Sequence, residues 1–302
     1  MQVYFNKMLK AVQRSDMIDI MVTILGVVLL IIAWVTLYDS NRFVIRNYTV
    51  ADKRIKKHGR AVVLADLHNK RYGKDNERLI GAIRAQKPDF ILIAGDLITA
   101  KPGKSIEPAL KLLRELKKDY PIYYGNGNHE HRLKLYPKTY GKMAEEYGQA
   151  LEAMGVEPLV NSLRVLAEHG ICIYGAERER EYYKRFHVHE MSVDYLDKIL
   201  GKPSKDRYTV LLAHNPDYFP QYAAWGADLV LSGHIHGGVA RVPVLGKGVI
   251  SPSLRLFPKY DGGVFREEEA VMILSRGLGM HTIHVRFFNP GELWVVDFEG
   301  EA

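Results

Sequence analysis

The sequence predicts an α/β domain behind an N-terminal membrane helix, on three observations. From Arg60 onward, short runs of β-branched and leucine residues alternate with amphipathic stretches, the signature of strands and helices following one another. Five of those runs end in the same chemistry, with Asp, Asn or His in the stretch that follows. Ahead of them, Ile20 to Leu37 is a stretch of 18 residues without a charge. At 1.5 Å per residue such a helix reaches roughly 27 Å, close to the hydrocarbon thickness of a bilayer.

Taken in order, residues 1–38 read as a basic segment (Lys7, Lys10, Arg14) and a single-pass anchor. The alternative is a cleaved leader, but Trp34 to Ser40 offers no small-x-small cleavage site. Basic residues flank the span on both sides, with Arg42, Arg46, Lys53, Arg54, Lys56 and Lys57 after it, so charge leaves the membrane face open. Residues 39–59 read as a polar connection with a strand at Phe43 to Val50, and residues 60–302 as the folded domain.

Within the domain, Ala61–Ala65 ends at Asp66-Leu67-His68, and Phe90–Ala94 ends at Gly95-Asp96. Pro121–Tyr124 leads to Gly127-Asn128-His129-Glu130, and Val210–Ala213 ends at His214-Asn215-Pro216. Leu229–Leu231 ends at Ser232-Gly233-His234-Ile235-His236-Gly237. Between them, helices are expected over Asn76–Gln86 (Leu79, Ile80 and Ile83 on one face), Ser105–Lys118 and Pro137–Met154. Residues 178–200, rich in charge and aromatics, read first as solvated surface and second as a substrate rim.

The chain has 302 residues and 47% hydrophobic content, enough for one large core. Its net charge of +7 and pI near 9.2 suit an anionic partner such as a phosphate ester or an acidic membrane surface. The basic residues form no long tract interleaved with aromatics, which argues against nucleic acid. Cys172 is the only cysteine, which excludes an intrachain disulfide, and its setting between Ile171 and Ile173 marks it as apolar filler.

A lone His-x-His or Gly-Asp pair carries little weight. Ligands in open α/β sheets collect beyond the carboxyl ends of strands, so five such ends would bring these residues to one site. Two neutral imidazoles one residue apart are an ordinary way to hold metal.

As a set, Asp66-x-His68, Gly95-Asp96, Gly127-Asn128-His129-Glu130, His214 and Gly233-His234-x-His236 resemble the calcineurin-like metallophosphoesterases. Pro243–Gly248, Phe257–Gly262, Ser275–Gly279 and Arg286–Pro290 are further similar to a membrane-associated bacterial branch with UDP-diacylglucosamine pyrophosphatases and secreted phosphoesterases. The resemblance implies a two-layered β-sandwich flanked by helices, with a two-metal centre at its edge. It implies that Asp66, His68 and His236 hold one metal, that Asn128, His214 and His234 hold the other, and that Asp96 bridges them. The mixed nitrogen and oxygen donors suit Mn, Fe, Zn or Ni without choosing among them.

Such a centre hydrolyses a phosphomonoester or phosphodiester by attack of metal-bound hydroxide, with His129 as the expected general acid. Arg276 and Arg286 are candidate contacts to substrate, although either could instead fix a turn. His187, His189, His281 and His284 have no place in the metal pattern. One departure from the family stands out: Thr99 occupies the position, three after Asp96, where many members carry an acid, so whatever orients His129 comes from elsewhere. The anchor suggests a substrate at the bilayer, such as a lipid-linked phosphoester or pyrophosphate. The resemblance leans towards an extracytoplasmic domain and leaves the oligomeric state open. A non-catalytic metal-binding scaffold and a nuclease using the same centre are the alternative functions.

Overall fold

The computed structural model of the protein describes residues 1–183, 189–192, 194–238, 240–243, 246–251, 254–280 and 285–301, and for residues 2–15 the backbone alone. Its strands, in chain order, are β1 (Phe43–Ala51), β2 (Gly59–Leu64), β3 (Phe90–Ala94), β4 (Ile122–Gly125), β5 (Pro158–Leu159), β6 (Ser162–Leu166), β7 (Ile171–Gly175), β8 (Tyr208–Leu212), β9 (Leu229–Ser232), β10 (Gly263–Glu267), β11 (Ala270–Leu274) and β12 (Gly291–Glu299). The α-helices are α1 (Gln2–Ser40), α2 (Glu77–Ala85), α3 (Glu107–Lys117), α4 (Asn128–Leu135), α5 (Pro137–Tyr140), α6 (Met143–Ala153), α7 (Tyr195–Leu200) and α8 (Phe219–Trp225).

Two six-stranded sheets form, in the orders β1-β12-β2-β3-β4-β5 and β10-β11-β9-β8-β7-β6. Strands β2 to β5 run parallel in the first, and β11, β9, β8 and β7 run parallel in the second. The stacking follows from the period of two along a strand. In β2, Val62 and Leu64 face a core shared with Leu79 and Ile83 of α2 and Leu113 and Leu116 of α3, while Ala61 and Val63 face the second sheet. In β8 and β9, Val210 and Leu229 meet the first sheet, whereas Leu211 and Val230 pack on Phe219, Tyr222 and Trp225 of α8. The result is helix, sheet, sheet, helix. Each fully buried Val, Leu or Ile contributes on the order of 1.5–3 kcal/mol. Strands buried on both faces read as continuous apolar runs, which is why they were visible in the sequence.

One expectation changes. The helix over Pro137–Met154 is broken into α5 and α6, because Gly141 takes a φ of 59° and interrupts the ladder. The strand expected at Phe43 to Val50 is β1, which pairs in parallel with β12 from Phe43↔Gly291 to Ala51↔Glu299. Phe43–Ala51 is therefore an edge strand of the first sheet. Ahead of β1, Asp16–Ser40 of α1 is long and apolar enough to cross a membrane.

Candidate metal centre

The carboxyl ends of β2, β3, β4, β8 and β9 deliver Asp66, Asp96, Asn128, His214 and the pair His234 and His236 to one edge of the two sheets. Five of the seven residues expected as ligands, Asp66 (φ 49°), His68 (49°), Asp96 (54°), His234 (76°) and His236 (55°), sit in the left-handed region. Non-glycine residues enter that region rarely and at a cost of about 1–2 kcal/mol each. Such concentrated strain persists only where the surroundings over-determine it.

Glycine makes the approach of these loops possible. A Cβ on Gly127 would overlap Asp96 Oδ1, and one on Gly233 would overlap Asp66 Oδ2. A methyl group at Gly237 would meet Asn289 and Arg276, so the room beside the His-x-His pair is filled by protein. The Gly127→Ala variant is expected to displace the Asp96 carboxylate and lower metal affinity by roughly 10- to 100-fold. Metal titration by calorimetry would show it, and wild-type affinity in this variant would contradict the packing described.

Three imidazoles are oriented by backbone carbonyls. His68 Nδ1 lies 3.2 Å from Ile98 O, His214 Nδ1 2.7 Å from Ala94 O, and His236 Nδ1 3.1 Å from Gly279 O. A carbonyl only accepts, so each Nδ1 carries the hydrogen and each Nε2 is left as the basic atom. Those Nε2 atoms converge on two buried carboxylates. His236 and His68 lie 3.3 and 3.6 Å from Asp66 Oδ1, and His214 lies 3.0 Å from Asp96 Oδ2 and 3.7 Å from Asp66 Oδ1. His68 Nε2 and His236 Nε2 are 3.3 Å apart, close to the spacing of two ligands on one cation with bonds of roughly 2.0–2.2 Å.

The donor sets fit metal. Asp66, His68 and His236 form one group with ligand atoms within 4.8 Å of one another, Asp96, His214 and His234 a second, and His68, Asp96 and His129 a third. Asn128 Oδ1 is buried without a hydrogen-bond partner, an acceptor that only a cation or a donor from outside the protein would satisfy. For His214, burial acts to lower the pKa, but the carboxylates of Asp96 and Asp66 outweigh it and push it up to about 10. A pocket that draws a proton this strongly is short of positive charge.

His129 owes its orientation to the backbone. The Ala100 N–H donates to His129 Nδ1 at 2.8 Å, so in the neutral ring the hydrogen is on Nε2. Thr99 leans instead towards His68, with its hydroxyl 3.3 Å from the His68 carbonyl. The missing acid is thus replaced by an amide.

Glu130, unassigned in the sequence, organises the loops beneath. Its Oε2 accepts the N–H groups of Asp96 and Gly127, each at 2.9 Å, and its Oε1 accepts the Tyr124 hydroxyl at 2.7 Å. Burial, then repulsion from Asp96, lift its pKa to about 7. The signal that could have found it is the capping box at the start of α4, where an acid at the third helical position reaches back to the Gly127 amide.

Beside it, Glu177 accepts from Asn126 Nδ2 at 2.6 Å and lies 3.2 Å from His131 Nδ1. Burial raises its pKa, but hydrogen bonds from His131 and Asn126 and the Lys134 charge outweigh burial and bring it down to about 2. A depressed carboxylate stabilises the fold above its unfolded pKa and loses that contribution as pH falls through its folded one. Wild-type stability is therefore expected to decline relative to Glu177→Gln between about pH 4.5 and pH 2, measured by chemical denaturation at stepped pH. Parallel profiles for the two proteins would refute the assignment.

The segment read first as solvated surface carries an enclosed cation. Arg178 is 1% exposed, and its guanidinium faces the rings of Tyr183, Tyr218 and Tyr222 at 5.0–5.5 Å. Tyr183 in turn lies edge to face with His234, centroids 5.5 Å apart, and takes a hydrogen bond from Arg178 Nη2 at 3.1 Å. Arg286 is also enclosed. It donates to the carbonyls of Asn289, Arg276, Gly277 and Gly279, so it holds a turn and does not reach for substrate. Arg276 is paired with Glu292 at 3.2 Å. Among the described residues His189 joins no metal group, and His187, His281 and His284 lie outside the described residues.

A family model described as calcineurin-like phosphoesterase matches residues 59–238, the stretch that carries Asp66 through His236. The chain belongs to that family. It is similar to an uncharacterized metallophosphoesterase of Campylobacter jejuni, 26% identical over 265 residues that cover 85% of this chain and 63% of that one. It is also similar to the uncharacterized metallophosphoesterase YkuE of Bacillus subtilis, 26% identical over 232 residues, covering 74% and 72% of the two chains. A Bos taurus transmembrane protein with a metallophosphoesterase domain is 27% identical over 189 residues, covering 59% of this chain and 40% of its own. This chain therefore spans less than two thirds of the Campylobacter and Bos relatives. Among solved structures, a putative 5′-nucleotidase from Staphylococcus aureus aligns with a TM-score of 0.43 at 13% identity, over 79% of this chain and 54% of its own. The matched stretch contains the His and Asp clusters that could hold metal.

Proposed function

We propose that this metallophosphoesterase is a membrane-anchored, dinuclear metal-dependent hydrolase of a phosphomonoester or phosphodiester. The observation that carries the reading is the convergence of three carbonyl-oriented imidazoles on two buried carboxylates. Asp66, His68 and His236 would hold one cation and Asn128, His214 and His234 the other. Asp96 would be shared, since its Oδ2 lies 3.0 Å from His214 Nε2 and 3.8 Å from His68 Nε2. Two bound dications supply a nucleophile from water near neutral pH and neutralise phosphoryl charge.

The protein's own groups do the rest. His129, held through Nδ1 by the Ala100 amide, presents Nε2–H as donor to the leaving oxygen. Complete transfer of a proton draws on the imidazolium, in which Nδ1 turns from acceptor to donor and releases that amide. Asp96 Oδ1 accepts the backbone N–H of His129 at 2.8 Å, which ties the position of the acid to that of the shared ligand. The span at Asp16–Ser40 favours a substrate presented at a bilayer, such as a lipid-linked phosphoester or pyrophosphate.

A phosphoester panel tests this directly. Monoester, bis-ester and lipid pyrophosphate substrates are offered to the full-length protein with Mn, Zn, Fe or Ni, or with chelator. Turnover is expected to vanish on chelation and return with at least one metal. Absence of turnover on every substrate would favour a binding role, and chelator-resistant turnover would remove the metal mechanism.

A further inference from the structure

We propose that the loops at residues 254–257 and 285–288 form a docking surface for an anionic lipid bilayer, beside the metal centre and at the level where α1 leaves the membrane. The inference rests on the reading of α1 as a membrane anchor and adds to it a second, non-helical contact.

The end of α1 marks a lipid–water boundary. Trp34, 66% exposed, stacks on Tyr38 with centroids 5.8 Å apart, and the Arg42 guanidinium lies 4.7 Å above the Tyr38 ring. Aromatic rings followed by a cation are the usual residues of an interfacial belt. The other side of the same turns is docked on the domain: Val35 and Asp39 are buried. Asp39 Oδ2 accepts the Asn289 N–H at 2.9 Å, and Asn289 Nδ2 donates to the carbonyls of His236, at 2.8 Å, and Gly238. One residue therefore joins the anchor to the His-x-His loop. The domain is not free to swing away on a tether.

The loops next to that joint expose large apolar side chains. Phe288 precedes Asn289, and Phe287 bridges to Ala240, which leads into the segment carrying Leu254, Leu256 and Phe257. Leu256 and Phe257 are each 67% exposed, and Leu254, Val285 and Phe288 are exposed as well. Leu254 (φ 63°), Phe257 (44°) and Phe288 (51°) also sit in the left-handed region, unusual for bulky side chains. Strained backbone that turns apolar side chains to the outside needs a partner to offset the cost. Lys247 and Lys259 of residues 240–260 are exposed, whereas Arg241 is buried against Asp261 and Arg255 is paired with Asp217, so two exposed cations accompany the apolar side chains and the partner that fits is apolar beneath and anionic at its surface. A bilayer containing anionic lipid has both properties.

The test places the full chain in vesicles of phosphatidylcholine with or without phosphatidylglycerol. Phe257→Cys and Phe288→Cys are each labelled with an environment-sensitive thiol dye; the native Cys172 is buried and remains unlabelled. Leu25→Cys in the span and Leu163→Cys on β6 serve as references, since both side chains are exposed. Lipid-borne spin label is expected to quench Phe257→Cys and Phe288→Cys several-fold more than Leu163→Cys, and more strongly with phosphatidylglycerol. If both behave like Leu163→Cys while Leu25→Cys is quenched, the docking surface is refuted and the anchor stands. If Leu25→Cys is not quenched either, the anchor reading falls with it.

Discussion

Asp96→Asn is expected to lower phosphoester turnover by at least about 10³-fold and to reduce bound metal below two ions per chain. Asparagine tolerates the left-handed backbone required at φ 54° and keeps an oxygen in place. What it removes is the charge that the two proposed cations would need between them. It also weakens the acceptor for the backbone N–H of His129, so the acid loses part of its placement. Fold stability is expected to change little in the metal-free protein, because the substitution removes both the repulsion between Asp96 and Glu130 and the attraction between Asp96 and His214. Elemental analysis, turnover and thermal unfolding on the same preparation separate these effects. Two tightly bound ions in Asp96→Asn would refute the shared-ligand role.

His129→Ala is the second large effect, and it has a different signature. Loss of a positioned proton donor costs roughly 10²–10⁴-fold, and the cost grows as the leaving group becomes more basic. Metal content is expected to remain at the wild-type level, because His68, His214 and His236 keep their carbonyl partners. With a nitrophenolate leaving group, which departs without protonation, the variant is expected to approach wild-type turnover. An alkyl ester hydrolysed by His129→Ala at the wild-type rate would exclude the proton-donor role. Equal losses with both leaving groups, accompanied by reduced metal, would instead reassign His129 as a ligand, which its grouping with His68 and Asp96 would accommodate.

The surroundings of these residues explain why such variants report on chemistry more than on folding. Glu130 collects the amides of Asp96 and Gly127 into one buried carboxylate, and Glu177 does the same for Asn126 and His131. The loops are therefore held from behind, by groups that do not enter the donor sets of the two proposed half-sites. Loss of a ligand side chain leaves that scaffold in place. Loss of Glu130 is expected to disturb both loops at once, since three backbone amides would lose their acceptor.

What the sequence determined by itself was the position of the centre along the chain. Parallel strands buried on both faces must be continuous apolar runs, and their carboxyl ends must open into loops, so Asp66, Asp96, Asn128, His214, His234 and His236 were legible from pattern alone. Tertiary structure decided how those residues are held. The carbonyls of Ile98, Ala94 and Gly279 set the ring tautomers, the Ala100 amide orients His129, and backbone groups of this kind are the same at every position and leave no mark in a sequence. Long-range pairing decided the remainder. Arg178 found its tyrosines, Arg286 found four carbonyls, and Phe43–Ala51 found β12, because a side chain or strand is satisfied by whatever the fold brings beside it and not by its neighbours in the chain. The joint between Asp39 and Asn289 belongs to the same class: 250 residues apart in sequence, they bring the end of an apolar helix to the edge of the metal loop.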